Sequence, residues 1–547
     1  MKPWAAVVAV TVLCAALYLP YLGAIELRGE EPRRILPART MLATGDWIVP
    51  KIGGSIYRKK PPFLNWSIAA SFIVTGGHTD WSARLPSVFW IGAFGITAAL
   101  ALRRRLGDWG ALSVGLFFMS TLAMMDKGRM AEMEAMYAAQ TGIAFVLWAA
   151  WWSAGKHWLA YTIPWFFLGL GMLTKGPAHL ALFYTLMIPG LVFSKRLKDL
   201  WSGPHLIGLV LMTAVFLPWT LVNLRLTDEG GRTTGIWAGE MTDRLNLAEI
   251  DWSAWLVRPL QVLGDFLPWT PLLVLAWWRT GPIHPQPGQS TEAARWDALI
   301  RGTRWGILAG LLVLLLLPRG TARYCQPLFP AACLLLVDHW RRITEAERQP
   351  IEEQWSKVNA VAGWLAVAGA AIAAVVAPIY LESTWITGIL GTLIALAVAL
   401  IPRYLKQKAI TLPPLVGSCL AMATVAGIAL SHLGPIMDRD GDYRRTGREM
   451  TALLPDTSRP VIFYRTKYFC SLHYLDRPYQ EIASSSRLPA GSAYIVLPAK
   501  DLSQRAFKEF LESYEVTELS RSTWETKEFV VLRIDPRGNA KPANSPS

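Results

Sequence analysis

Apolar runs of membrane-spanning length punctuate this chain, at 4–23, 84–102, 108–125, 133–152, 158–174, 177–194, 205–223, 257–277, 304–318, 325–339, 359–381, 384–402 and 411–432. A helix needs about 20 mostly apolar residues to cross a bilayer. In hydrocarbon every backbone N–H and C=O must be paired within its own segment, so these runs are predicted to be helices. The expected fold is a polytopic α-helical membrane protein of about 13 spans. Composition agrees. The chain is 52% hydrophobic and 17% charged, too apolar for one soluble domain. Its 26 tryptophans suit rings that favour the membrane–water boundary. The net charge of +14 reads as cationic loops facing anionic headgroups. No basic helix interleaved with aromatics stands outside the spans, so nucleic acid is not an expected partner.

The first run lacks a small-residue cleavage site and reads as a retained span. Lys2, Arg103 to Arg105, the basic stretch 194–198, Arg341 with Arg342, and the stretch 403–408 fall on one side. The positive-inside rule makes that side cytoplasmic. The N-terminus is then cytoplasmic, and 24–83, 127–134, 225–258, 319–324 and the C-terminal region share the outer face. The expected location is the inner (plasma) membrane. The apolar stretch 61–77 is predicted to lie in the interface or against the bundle. The Pro-, Gly- and Gln-bearing stretch 279–303 is predicted to be a cytoplasmic linker. Beyond 435 the pattern changes. "PVIFY", "SAYIVLPA" and "EFVVLRI" read as strands and "SQRAFKEFLESY" as an amphipathic helix. The expected domains are a spanning domain over 1–435 with a first outer loop at 24–83, an outer α/β domain over 436–536, and a disordered tail over 537–547.

Ionisable residues at membrane boundaries are expensive and so are functional candidates. Five clusters gather on the expected outer face. The first holds Glu30, Glu31, Arg33 and Arg34. It is either a salt-bridged helix start, with Pro32 suited to the first turn, or a carboxylate poised for base catalysis beside an anion-steering arginine. The second is Tyr57 to Phe63, where Arg58, Lys59 and Lys60 repel one another unless an anion shares them, or else snorkel. The third runs from Lys127 to Met136. Glu132 is the natural i,i+3 partner of Arg129, leaving Glu134 as the freer carboxylate. The fourth is Lys175, which has no acidic neighbour in sequence and should meet an anion. The fifth joins Glu240 and Arg244, a helical ion pair by spacing, with Arg323 and Tyr324.

The histidines form no H-x-x-H or H-E-x-x-H, so no metal site is supported. The five cysteines form no C-x-x-C. P-loop, nucleophile-elbow and G-x-G-x-x-G patterns are absent.

The stretch Gly29 to Pro62, "GEEPRRILPARTMLATGDWIVPKIGGSIYRKKPP", resembles the GT-C membrane glycosyltransferases of the protein O-mannosyltransferase-like superfamily. It looks closest to the transferases that place undecaprenyl-phosphate-linked 4-amino-4-deoxy-arabinose on lipid A. The match is an acidic pair, then "GDW.VP", then "Y..KP". The resemblance implies a GT-C fold with a small outer α/β domain, and sugar transfer from a polyprenyl-phosphate donor to a lipid A-like, protein or glycan acceptor. It implies Glu30 and Glu134 as catalytic carboxylates, each standing where the family often has Asp. It implies Arg33, Tyr57, Lys60, Lys175, Arg244 and Tyr324 around the donor phosphate, with Glu31 and Glu240 as further site residues. Lys59 stands where the closest transferases carry an acid. No cofactor is required by the sequence, and a divalent metal is compatible with the family. A transporter or lipid-sugar flippase is the competing class. It would place charge near the midplane and repeat its halves, whereas here the charge lies at one rim and no repeat is present. The sequence leaves the sugar, the acceptor and the oligomeric state open.

Overall fold

The computed structural model describes residues 2–19, 22–245, 251–281, 283, 288–380, 396, 443–465, 470–482, 491–524 and 527–537. The helices are α1 (Pro3–Tyr18), α2 (Pro32–Thr44), α3 (Phe63–Thr75), α4 (Asp80–Ala101), α5 (Arg103–Met119), α6 (Leu122–Lys127), α7 (Met133–Ser153), α8 (His157–Lys175), α9 (Ala178–Phe193) and α10 (Gly203–Thr227). They continue as α11 (Arg232–Leu245), α12 (Trp252–Asp265), α13 (Thr270–Thr280), α14 (Thr291–Leu316), α15 (Phe329–Arg342), α16 (Glu345–Tyr380), α17 (Tyr443–Ala452) and α18 (Arg505–Leu511). The strands are β1 (Lys51–Ile52), β2 (Ser55–Ile56), β3 (Val461–Tyr464), β4 (Tyr479–Ile482), β5 (Ala493–Pro498), β6 (Tyr514–Trp524) and β7 (Lys527–Pro536). The expected spans 384–402 and 411–432 lie outside the described residues, as does the expected tail.

The chain divides into two compact units. Unit one holds Met1–Ala24, Lys59–Leu64 and Arg84–Ile436. Among its described helices, α10 and α14 are long and apolar enough to cross a membrane, as is α4, whose first turn lies in unit two. These helices make the chain a multi-pass membrane protein. Helices α9 and α14 pack closely because their contact is built on small residues. A Cβ on Gly302 would strike the backbone of Gly190, and one on Gly306 would strike Thr185 and Leu186. Such approach gives strong van der Waals contact where lipid removes any hydrophobic drive between helices.

Three expectations need correction. The run 108–125 is divided between the end of α5 and α6, because Thr121 is extended and caps α6, its Oγ1 accepting from Met124 N at 3.3 Å. The run 257–277 is not one straight span. It is the pair α12 and α13, bent by 87°. Pro268 cannot donate a helical hydrogen bond, and the break is held from outside. Leu122 N donates to Leu267 O at 2.8 Å, and Trp269 Nε1 to Ser120 Oγ at 3.1 Å. The stretch 279–303 is not wholly a linker, because α14 begins at Thr291. Ser290 Oγ caps it by accepting from Ala293 N at 3.3 Å.

Unit two holds Ile25–Arg58, Asn65–Ala83 and Met437–Ser547. Its sheet has the order β4-β3-β5-β7-β6. β3 runs parallel to β4 and β5, while β7 is antiparallel to β5 and β6. The three expected strands are present as β3, β5 and β7. β4 and β6 are additional, and β6 reads poorly because its exposed residues, Val516 apart, are charged or hydroxylated. Leu36, Ile52 and Tyr57 of the first loop share one core with Met450, Val461, Phe463 and Trp524. Glu26 caps α17, accepting from Tyr443 N at 2.7 Å and Arg444 N at 3.0 Å. The core of unit two thus draws on both sides of the boundary expected at 435/436.

Candidate active site

In unit one, α7 and α8 are successive helices packed along each other. The N-terminus of α7 therefore adjoins the C-terminus of α8. Glu134 lies in the first turn of α7 and Lys175 in the last turn of α8. Each charge sits where its helix dipole favours it. Lys175 Nζ donates to Glu134 Oε1 at 3.0 Å, and Arg323 Nη1 stands 3.5 Å from the same oxygen. The Lys175 ammonium is 5.1 Å from the centre of the Tyr324 ring and 5.6 Å from that of Tyr137. Ring faces attract a desolvated cation by roughly 0.5–2 kcal/mol. Tyr137 also pins the turn after α8. Its hydroxyl donates to Gly176 O at 2.9 Å and accepts from His179 N at 2.7 Å.

The sequence argument that Lys175 must meet an anion is answered by Glu134. The expectation that Glu134 is the freer carboxylate is corrected accordingly, since two cations hold it. Tyr137 was missed. Its signal was its position three residues after Glu134, on the same helical face.

Lys60 pairs with Glu240 in this unit. Arg244 lies on α11, and its side chain is outside the described residues. Glu132 stands 3.2 Å from Lys127 Nζ, and Asp126 lies 3.0 Å from it. Burial pulls the Lys127 ammonium down, but these two carboxylates outweigh it and raise its pKa. Arg129 Nη1 donates to the carbonyls of Leu17 and Tyr18 at 3.2 and 3.1 Å. This ties the chain after α6 to the end of α1.

In unit two, Pro32 opens α2, as its fixed φ favours. Arg33 Nη1 donates to both oxygens of Glu30, at 2.8 and 2.7 Å. Glu31 is fully buried, and its carboxylate accepts from Arg28 N at 2.9 Å. Arg34 is not a solvated collar. It is 5% exposed, and its Nη1 donates to Tyr57 Oη at 2.8 Å. Asn65 Nδ2 donates to the Arg34 carbonyl at 2.7 Å. Arg34, Ala38 and Met41 are all buried on α2, and their i, i+4, i+7 spacing was the available signal. The "GDW" motif is a brace. Asp46 accepts from Ile48 N and Val49 N at 3.2 Å and from Lys51 Nζ at 2.7 Å.

The predicted residues therefore form three groups. Glu30, Glu31, Arg33 and Tyr57 belong to unit two. Lys60 with Glu240, and Glu134 with Lys175 and Tyr324, belong to unit one. Among the described residues, no cluster of three or more His, Cys, Asp or Glu could hold a metal ion.

Residues 59–221 match the family model described as dolichyl-phosphate-mannose-protein mannosyltransferase. An undecaprenyl phosphate-alpha-4-amino-4-deoxy-L-arabinose arabinosyl transferase of Photorhabdus laumondii is 26% identical over 283 residues, 49% of each chain. One of the two such transferases of Sodalis glossinidius is 31% identical over 204 residues, 35% of this chain and 36% of its own. The chain spans about half the length of the first of these relatives and less of the second. The crystal structure of ArnT from Cupriavidus metallidurans bound to undecaprenyl phosphate aligns with a TM-score of 0.68 at 17% identity. The alignment covers 95% of this chain and 97% of that one. The apo form of the same protein aligns at 0.67. This chain has that GT-C fold, and the resemblance read from residues 29–62 is borne out.

Proposed function

We propose that this chain is a glycosyltransferase that moves a sugar from a polyprenyl-phosphate donor to a lipid A-like acceptor. The reaction would take place at the outer face of the inner membrane, with the N-terminus cytoplasmic and the C-terminal domain outside. The observation that carries the reading is the Lys175 ammonium, held between two aromatic rings and one carboxylate at a helix end. An anion arriving there competes with Glu134 for a cation that is already desolvated. The fold shared with a protein crystallised on undecaprenyl phosphate supports the same reading.

The chemistry is nucleophilic displacement at the anomeric carbon. The acceptor oxygen forms the new glycosidic bond as the bond to the donor phosphate breaks. Charge grows on the departing phosphate. Lys60, Lys175, Arg244 and Tyr324 are the groups to receive it, and a preorganised donor of this kind typically contributes about 10²–10³ in rate. Glu30 orients the acceptor hydroxyl and takes its proton, or supports the cationic character of the sugar. Arg33 holds that carboxylate in place until substrate arrives.

The test is purified full-length protein in detergent, given an undecaprenyl-phosphate-linked sugar and lipid A. Transfer without a second compartment is expected. A protein that leaves both lipids unchanged, yet moves the loaded lipid across proteoliposome membranes, is the transporter instead.

A further inference from the structure

Two arginines of α14, Arg301 and Arg304, lie where its apolar run begins, and their surroundings treat them differently. Arg304 lies 4.8 Å from the centre of the Trp277 ring, and its guanidinium donates to the carbonyls of Gly281 and Trp277. Arg301 has the same kind of stack, 4.9 Å from the centre of the Phe193 ring, but makes no hydrogen bond and no ion pair among the described residues. Its natural partner by spacing is Asp297, at i−4. Both oxygens of Asp297 are taken, by Arg342 Nη2 and Gln289 Nε2, each at 2.6 Å. Phe193 ends α9, and the last carbonyls there are engaged too. Gly190 O, Leu191 O and Val192 O accept from Ser194 N, Arg196 N and Lys195 N at 3.1, 2.8 and 3.0 Å. Arg301 Nε is closed to solvent, so the two Nη groups are the ones that can reach a ligand. Trp305, Leu308 and Leu312 follow at i+4, i+7 and i+11 and share a face of α14 with Arg301. All three are exposed. Lys195, two residues beyond Phe193, is exposed as well and makes no ion pair among the described residues. All of these residues lie in unit one. α9 starts three residues after Lys175, and its 16 residues span about 24 Å at roughly 1.5 Å each. Arg301 therefore stands at the other end of that helix from Lys175.

We propose that Arg301 heads a binding site for an anionic phospholipid, its headgroup phosphate on the arginine and one acyl chain along Trp305, Leu308 and Leu312. The Phe193 ring occupies the face of the guanidinium. The edge, where the N–H groups form a fork, is left for the paired oxygens of a phosphate. The exposed apolar stripe begins one turn further along the same face, as a lipid tail below its headgroup requires. Lys195 adds a second cation, and Asp297 is engaged elsewhere, so the charge favours an anionic headgroup over a zwitterionic one. A free phosphate ion would use the arginine but gain nothing from the stripe. A snorkelling cation in water would be no different from the other exposed arginines. The site is separate from the transfer reaction, whose polyprenyl phosphate belongs at the Lys175 end.

Native mass spectrometry tests the site, with the purified full-length chain titrated with phosphatidylglycerol and with phosphatidylcholine of the same acyl chains. Wild type is expected to hold phosphatidylglycerol at least roughly fivefold more tightly than phosphatidylcholine. Arg301→Gln should weaken phosphatidylglycerol about tenfold, as loss of a charge-assisted hydrogen bond predicts, and leave phosphatidylcholine within about twofold. Arg301→Lys keeps the charge and loses the fork, so it should fall between. Neither variant removes a hydrogen bond that the fold uses. Trp305→Ala should weaken both lipids. Arg104→Ala removes an equal charge from a more exposed position and should leave both lipids within about twofold. An equal loss in Arg104→Ala and Arg301→Gln would mean diffuse attraction and overturn the site. So would equal affinity of wild type for the two lipids, or unchanged phosphatidylglycerol binding in Arg301→Gln. If inorganic phosphate displaces phosphatidylglycerol while Trp305→Ala has no effect, the site takes the free ion and the lipid assignment falls.

Discussion

Lys60 and Glu240 neutralise each other, so a phosphate that binds Lys60 must displace a carboxylate. The competition sets the sign of two substitutions. Lys60→Ala should weaken binding of undecaprenyl phosphate at least tenfold, by removing a charge-assisted hydrogen bond of roughly 1.5–3 kcal/mol. Glu240→Gln should strengthen it severalfold, by removing the competitor. Titration of bare lipid against both variants decides the matter. Weaker binding in both would mean that the pair holds the site's shape. Glu30→Gln differs in kind. Its amide still accepts from Arg33 but cannot take a proton, so transfer should fall about 10²–10⁴-fold while donor affinity holds. Near-native turnover would remove Glu30 from the chemistry. His473 supplies a pH dependence. Burial lowers its pKa, with Arg39 adding to that and Asp80 and Glu31 opposing it. The folded unit holds the neutral ring, whereas the unfolded chain protonates it below about 6.5. Stability is therefore lost as pH falls from about 6.5 towards the lowered folded value. Amide-exchange protection of Val461–Tyr464 should drop between pH 7.5 and 5.5, and His473→Asn should flatten the drop.

Among the elements, the hairpin of β1 and β2 shows where local sequence stops being informative. "KIGGSI" signals a turn, and Gly53 and Gly54 adopt φ of +54° and +83°, as the short loop requires. What the hairpin docks on is not written locally. Gly53 O accepts from Glu481 N at 2.5 Å, and a Cβ on Gly53 would sit 2.7 Å from that nitrogen. Gly53→Ala should then lift the hairpin from β4. Limited proteolysis of residues 45–58 would report it, and an unchanged cleavage rate would argue against the contact. The helices divide the same way. Unbroken apolar runs gave α7, α8 and α9 to within one residue and α4 and α10 to within four, because hydropathy over a bilayer's thickness is a local property. The 87° break between α12 and α13 was not legible. The same "FLPW" lies within continuous α10 at 216–219 and at the break at 266–269. At the second copy Leu267 O and Trp269 Nε1 are tied to Leu122 N and Ser120 Oγ, partners that lie far away in the sequence. Charged site residues were legible as costly positions. Their partners, such as Glu134 for Lys175, were not, because the pairing spans separate helices.

At the scale of the molecule, unit two is assembled from segments at opposite ends of the sequence. Leu36, Ile52 and Tyr57 are buried against side chains beyond residue 449. Leu27 N donates to Tyr474 Oη at 3.0 Å, and Arg39 Nη1 to His473 O at 2.5 Å. The loop that carries Glu30 and Arg33 therefore has no core of its own. A chain ending at residue 436 keeps the apolar runs that insert but loses every one of these partners. Each large side chain stripped of its cover forfeits about 1.5–3 kcal/mol, more than a loop of this length can replace from within. The truncated protein should reach the membrane and expose residues 25–58 to protease. It should also lose transfer by the 10²-fold or more expected when a catalytic carboxylate is no longer positioned. Co-expressing residues 437–547 as a separate chain should restore protection first and activity with it, since the missing part is a packing surface. Full activity in the truncated chain would mean that the loop orders itself around substrate. The C-terminal domain would then serve another purpose.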